Sequence, residues 1–342
     1  MDSSVVLGLT LLIVPVSSLA VLNLLRRMLI RWGSISLPSD RGLHSHPTAR
    51  GGGIIIALWA TGALWAPFVT SQGTWIGDAF YFTSLVIVVV VGFVDDLTNK
   101  LSAGTRLLIH FVASACVVLG AHFSGALQSD VVTPLLSAAV LVFIAAWSIN
   151  AMNFMDGVDG LVSGQLVGVA LCVNLLGIVD GVDLENFFFM TVLGLSAAAF
   201  LRVNFPPARL FLGDSGSGLI GLAVVVFAVS TTPDVWWIGS VLVIFYSLFI
   251  MDTFTTLIWR LLRGKHPAAA HREHVYQLVV QRSGRHQDAL LVYIGHTFLI
   301  GVPFSLLIIY ETMPAVALVA ICLTFSGVFL VVTRRLISGD LQ

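Results

Sequence analysis

The chain has 342 residues, 57% of them hydrophobic and only 10% charged, with a mean hydropathy of +0.98. A soluble domain of that length carries about a quarter charged residues. The composition therefore excludes a water-soluble globular protein. The net charge of −1 selects no partner, and nothing calls for nucleic acid.

A helix that crosses a bilayer needs about 20 apolar residues. Eleven runs meet that need, at roughly 4–26, 51–70, 79–95, 105–122, 131–149, 160–179, 187–203, 215–231, 235–258, 290–310 and 313–333. They are continuous rather than alternating, so they read as helices and not as barrel strands. The expected fold is all-α: a polytopic membrane bundle of about eleven transmembrane helices, forming one integral-membrane domain over 1–342. The first run is too long for a signal-peptide core and more spans follow, so it reads as a span. Cys116, Cys172 and Cys322 lie inside apolar runs without metal-ligand spacing and read as small buried hydrophobes.

Basic residues orient the bundle. With eleven spans, all 17 Lys and Arg fall on one side, from Arg26 to Arg335. The opposite connections hold Asp78, Asp130, Asp180, Asp183, Glu185, Asp234 and Glu311 instead. This places the N-terminus outside and the C-terminus in the cytoplasm. The expected location is a bacterial cytoplasmic membrane, with the active face toward the cytoplasm.

The unusual residues gather on that same side. Loop one carries Arg41, His44, His46, Arg50 and Gly51-Gly52-Gly53. Loop two carries Asp95, Asp96 and Lys100. Loop three packs Asn150, Asn153, Asp156 and Asp159 into about ten residues. Loop four holds Gly213-Asp214-Ser215-Gly216-Ser217, and loop five holds His271-Arg272-Glu273-His274. Charge near a bilayer is costly, so such clustering points to function.

Asp95, Asp96, Asp156, Asp159 and Asp214 would repel one another unless cations sit among them. Carboxylate and amide oxygens suit Mg²⁺ or Mn²⁺ rather than zinc, and Asn153 and Asp214 are the candidate direct ligands. Arginine forks match phosphate oxygens. Gly51 and Gly52, with Gly213 and Ser215, are expected to present backbone N–H groups at helix starts as anion sites. A cation, a phosphate-binding set and a membrane scaffold suggest phosphoryl transfer involving a lipid. There is no Gly-x-x-x-x-Gly-Lys-Ser/Thr loop. Gly213-Asp-Ser-Gly-Ser is not a Gly-x-Ser-x-Gly nucleophile elbow. The competing reading is a membrane transporter of a sugar or nucleotide-linked substrate. Transporters place ionisable groups near the midplane, where only His110, Asp252 and His296 are candidates.

Five motifs, in order and spanning almost the whole chain, carry a resemblance: Arg41-Gly-Leu-His44-x-x-Pro47-Thr-x-Arg50-Gly-Gly-Gly, Gly92-Phe-Val-Asp95-Asp96-x-x-x-Lys100, Asn150-x-x-Asn153-Phe-Met-Asp156-Gly-Val-Asp159-Gly-Leu, Phe211-Leu-Gly-Asp214-Ser-Gly-Ser and His271-Arg272-Glu273-His274-Val-Tyr276-Gln277. Together they resemble the polyprenyl-phosphate N-acetylhexosamine-1-phosphate transferases. The resemblance implies Mg²⁺-dependent transfer from a UDP-N-acetylhexosamine to undecaprenyl or another polyprenyl phosphate, with UMP released. It implies metal ligation by Asn153 and Asp214. It places Asp95, Asp96, Asp156, Asp159, His271, Arg272 and His274 in the catalytic machinery. Arg41, His44, Arg50, Gly51, Gly52, Lys100, Asn150, Gly213 and Ser215 would contact substrates. A homodimer is implied by the resemblance alone. The last motif resembles enzymes that start O-antigen or related polysaccharides, whereas Asn-Phe-Met-Asp-Gly departs from the muramoyl-pentapeptide branch. Phe249 stands where relatives often have a proline that would break the ninth helix, which puts Asp252 in question.

Overall fold

The computed structural model describes residues 3–38, 43–44, 46–70, 75–127, 133–265 and 271–339. Helices dominate it: α1 (Ser3–Arg31), α2 (Ile54–Thr70), α3 (Trp75–Thr98), α4 (Ala103–Phe123), α5 (Pro134–Met155), α6 (Leu161–Asp180), α7 (Phe188–Asn204), α8 (Asp214–Thr231), α9 (Ile238–Phe245), α10 (Ser247–Leu262), α11 (Val275–Ser283), α12 (His286–His296), α13 (Val302–Ile309) and α14 (Ala315–Gly339). The protein is an all-α polytopic membrane protein. Among the described residues, nine helical stretches are long and apolar enough to cross a membrane, and the bent pair α9–α10 makes a tenth. α2, 17 residues long, occupies the remaining expected run. Large apolar side chains face outward, Leu135 and Val316 at 82% exposure, as a lipid-facing surface requires and a water-facing one rarely shows.

The bundle is built around α8. In its apolar window 78% of residues are buried, against 17% for α1. It packs against α3, α5 and α2. Close approach at its start depends on missing side chains: a Cβ on Gly53 would lie 2.1 Å from the Gly216 Cα.

A small sheet, absent from the all-helical expectation, ties loop one to loop four. β1 (Ile35–Ser36) pairs antiparallel with β2 (Thr48–Arg50), and β2 pairs parallel with β3 (Leu210–Phe211). The register sets Arg50 opposite Phe211, so the guanidinium emerges beside the start of α8.

The ninth expected run does break, without a proline. α9 and α10 meet at Tyr246 with a 59° bend. The bend leaves Phe245 C=O to other donors, and Gln165 Nε2 of α6 donates to it at 2.9 Å. A buried side chain satisfying the freed carbonyl is what lets an apolar helix bend in hydrocarbon.

Candidate active site

One cleft of about 240 Å³ opens where the helices end, lined by His44, Arg50, Asn153, Asp156, Asp159, Asn204, Asp214, Gln277 and His286 among others. Its floor is the start of α8. Asp214 accepts Arg50 Nη2 at 2.5 Å on one oxygen and Arg106 Nη1 at 2.7 Å on the other. The same Arg106 nitrogen reaches Asp95 Oδ2 at 3.0 Å. Asp95 also accepts the Leu101 N–H at 3.1 Å. Two arginines thus hold three acids together at a helix N-terminus, whose partial positive charge favours them further.

Asp96 does a different job. It is 1% exposed and accepts the Asp214 N–H (2.8 Å), the Ser215 N–H (3.1 Å) and the Ser215 hydroxyl (2.7 Å). Arg50 Nε completes its shell at 2.9 Å. Asp96 therefore caps α8 from a neighbouring helix and has no bare oxygen to act as a base. This corrects the expectation for Ser215, whose amide and hydroxyl are engaged by Asp96 and not open to an anion. Gly213 has φ of +78°, and a Cβ there would lie 2.5 Å from Asp96 Oδ2. Its role is to admit that carboxylate. The glycine run of loop one is corrected likewise: Gly52 and Gly53 donate to Phe211 O (2.9 Å) and Leu212 O (2.8 Å). Gly51 lies against the Asp96 side chain.

Burial works against the charge on Arg50, but Asp214, Asp96 and Asp156 outweigh it and raise its pKa above the ordinary arginine value. Asp156 is raised too, which for a carboxyl group favours the neutral acid. Burial, reinforced by Asp214 and Asp96, pushes it well above the usual range despite Arg50 and the Gly213 backbone.

Loop three leaves α5 at Met155, and Asp156 caps the helix. Asn153 Oδ1 accepts from Ser217 Oγ at 2.6 Å, fixing the amide over the first turn of α8. Tyr276 donates to Phe154 O at 2.7 Å and clamps the turn from below. Asp159 Oδ2 accepts the Ala208 N–H at 2.9 Å, and His286 Nδ1 accepts the Asp159 N–H at 3.2 Å. Asn204 accepts from Gly160 N–H and Ser163 Oγ and donates to Leu210 O, which binds loop three to loop four. Asn150 turns back to Ala146 O at 2.7 Å and meets His110. It does not line the cleft.

The 271–277 segment stands beside the cleft, and only Gln277 of its members lines it. His274 is 4% exposed and its ring neighbours those of Phe154, Tyr276 and His271. Its Nδ1 lies 3.5 Å from Asp252. Asp252, fully buried on α10, accepts Val275 N–H at 2.9 Å, Tyr276 N–H at 3.3 Å and Tyr293 OH at 2.5 Å. Asp252 is therefore the anchor that docks α11 and aims the histidine segment. His271, Arg272 and His274 do not line the cleft; the Phe154 ring lies beside His274. Lys100 is exposed on the turn after α3, and Arg41 lies outside the described residues.

Sequence reading gave no site role to Arg106 or His286, and it named Tyr276 and Gln277 only as members of the last motif. Arg106 was visible only as one basic residue on the crowded side. His286 carried no motif at all, because its importance comes from where α12 begins in space.

Fold and cleft together define an integral-membrane protein whose polar site is assembled from helix ends and loops. Residues 79–232 match glycosyl transferase family 4. Similarity extends to the decaprenyl-phosphate N-acetylglucosaminephosphotransferase of Mycolicibacterium smegmatis, at 30% identity over 85% of this chain and 83% of the relative. A probable undecaprenyl-phosphate N-acetylglucosaminyl 1-phosphate transferase of Bacillus subtilis is 25% identical over 84% of this chain and 80% of its own length. A phospho-N-acetylmuramoyl-pentapeptide-transferase of Moorella thermoacetica is 29% identical over 49% of this chain and 56% of its own. The chain belongs to this family, the polyprenyl-phosphate N-acetylhexosamine-1-phosphate transferases.

Proposed function

We propose that the protein transfers an N-acetylhexosamine-1-phosphate from a UDP-sugar to undecaprenyl or another polyprenyl phosphate. A phosphate oxygen of the lipid forms a bond to the β-phosphorus of the donor. The bond from that phosphorus to the bridging oxygen breaks, and UMP leaves. The product is a lipid-diphosphate sugar that starts an envelope polysaccharide, O-antigen being one such chain. The observation that carries this reading is the arginine-bridged acid set at the start of α8, facing a cleft lined by Asn153, Asp156 and Asp159.

The attacking phosphate monoester, with a second pKa of about 6, is already largely ionised at neutral pH. No strong base is needed, which agrees with the capped state of Asp96. Arg50 and Arg106 would stabilise the charge of the in-line transfer. Gln277, His286 and His44 line the cleft where donor atoms would meet them.

We also propose Mg²⁺ as cofactor. Among the described residues no group of three or more His, Cys, Asp or Glu is arranged to chelate a metal. Magnesium takes one or two protein oxygens and leaves the rest to water and phosphate, so the Asn153 amide and the Asp214 carboxylate fit that chemistry. The ion would neutralise diphosphate charge there. Both Asp214 oxygens carry an arginine, so Arg50 and Arg106 would share the carboxylate with it or move onto phosphate. Eleven spans, with the N-terminus outside and the cleft facing the cytoplasm of a bacterial inner membrane, complete the proposal.

The test is UMP release from a panel of UDP-N-acetylhexosamines with undecaprenyl phosphate, starting with N-acetylglucosamine, and mass spectrometry of the lipid product. Asp214→Asn should abolish Mg²⁺-dependent turnover. Wild-type-like activity in the purified variant would sink the metal assignment, and no lipid product from any donor would sink the reaction.

A further inference from the structure

A second cleft, of about 380 Å³, lies between the last turn of α10, α11 and the end of α14, away from the acid cluster. Trp259, Arg263, Glu273, Leu278, Arg334 and Arg335 line it. The Arg263 guanidinium sits 4.3 Å over the Trp259 ring, with Arg334 at 5.5 Å from the same ring. The single lining carboxylate, Glu273, is engaged by Arg260 at 3.1 Å and by Lys265. Among the described residues no carboxylate lies within ion-pair distance of Arg263 or Arg335. Among the described residues, the cleft therefore carries a net positive charge.

The surroundings say what kind of anion fits. Leu262 is 80% exposed and Leu336 68%, next in sequence to the arginine-bearing turns. Exposed leucines beside arginines and a tryptophan mark the level where helices pass from hydrocarbon to headgroups. A water takes about 30 Å³ of liquid, so the space suits a phosphoglycerol-sized group and not a folded partner. A free phosphate would gain nothing from the leucines, whereas a phospholipid would use both.

We propose that this cleft binds the headgroup of an anionic phospholipid, with the phosphate on Arg263 and Arg335 and the acyl chains along the exposed leucines. The site is coupled to the histidine segment. Arg334, 8% exposed, donates to Glu273 O at 2.6 Å and to Thr256 Oγ1 at 2.5 Å. Glu273 lies between His271 and His274, so a lipid in the cleft braces the segment that Asp252 docks.

The experiment is native mass spectrometry of the full chain in neutral detergent, titrated separately with phosphatidylglycerol, phosphatidylcholine and inorganic phosphate. Wild type should retain phosphatidylglycerol at least fivefold more tightly than phosphatidylcholine. The double variant Arg263→Gln/Arg335→Gln should lose that preference, and Arg263→Lys/Arg335→Lys should keep most of it. Both positions are exposed, so the fold should survive, which an unchanged unfolding midpoint checks. Equal binding of the two lipids, or wild-type selectivity in the glutamine variant, overturns the proposal. Displacement of phosphatidylglycerol by micromolar inorganic phosphate reassigns the cleft to a soluble anion and overturns it too. These readouts are binding measurements and do not depend on the transfer reaction.

Discussion

The Asp96 carboxylate accepts the backbone N–H of Asp214 at 2.8 Å, so the acid of one helix caps the helix that presents the other. The two aspartates, 118 positions apart, are one structural unit with two functions. Asp96 holds the helix start, and Asp214 faces the cleft.

Asp96→Asn should therefore act first on stability. Removing one partner of a buried, hydrogen-bonded charge pair costs about 3–5 kcal/mol. Thermal unfolding in detergent should show a clear drop in midpoint, with activity lost alongside it. A variant with wild-type stability and no turnover would instead restore Asp96 as a chemical base.

Arg106 makes both its acid contacts through one nitrogen, Nη1. Arg106→Ala should lower kcat/KM by about 10²–10³-fold, the usual effect of losing a preorganised charge-stabilising donor. Its side chain is 34% exposed, so the unfolding midpoint should barely move. Arg106→Lys can also place one nitrogen between the two acids and should recover most of the rate. A lysine variant as inactive as alanine would mean the guanidinium fork itself is required.

Tyr276 and Gly157 should behave as a coupled pair. A Cβ at Gly157 would lie 2.3 Å from the Tyr276 hydroxyl, so Gly157→Ala should destabilise by about 1–3 kcal/mol through overpacking. Tyr276→Phe leaves Phe154 O without its donor, at about 1–3 kcal/mol. Because the phenylalanine also removes the clashing atom, the double variant should be less damaged than the sum. A double-mutant cycle of unfolding free energies measures the difference; strict additivity would show the hydroxyl does not set the turn.

His271 predicts a pH effect on stability. Burial, then the neighbouring His274 and Arg260, push its pKa down from 6.5 to about 4. Between those values the unfolded chain binds a proton that the native state does not, so stability rises with pH across the window. The stabilisation is complete above pH 6.5 and is lost as pH falls toward 4. Unfolding midpoints of wild type and His271→Gln between pH 7.5 and 5 should converge as pH falls; parallel curves would remove His271 as the cause.

The order of apolar runs, the gathering of acids and arginines, and the five motifs were legible in the sequence, because hydropathy and spacing are local properties of the chain. Phe249 in place of proline suggested doubt about the ninth helix, yet the bend forms at Tyr246 because Gln165, 80 positions away, satisfies Phe245 O. Sequence set Asp214 apart as a metal ligand but left Asp95 and Asp96 as an undifferentiated catalytic pair, and grouped the Gly51–Gly53 and Gly213–Ser215 amides as open anion sites. Only the tertiary structure separated them. What an acid can do depends on which donors the fold brings to it: Asp96 meets two amides, a hydroxyl and Arg50 in the interior, whereas Asp214 meets Arg50 and Arg106, side chains at the cleft that can also turn to phosphate. Residue type determined which chemistry was present, and three-dimensional packing decided which groups were left to perform it.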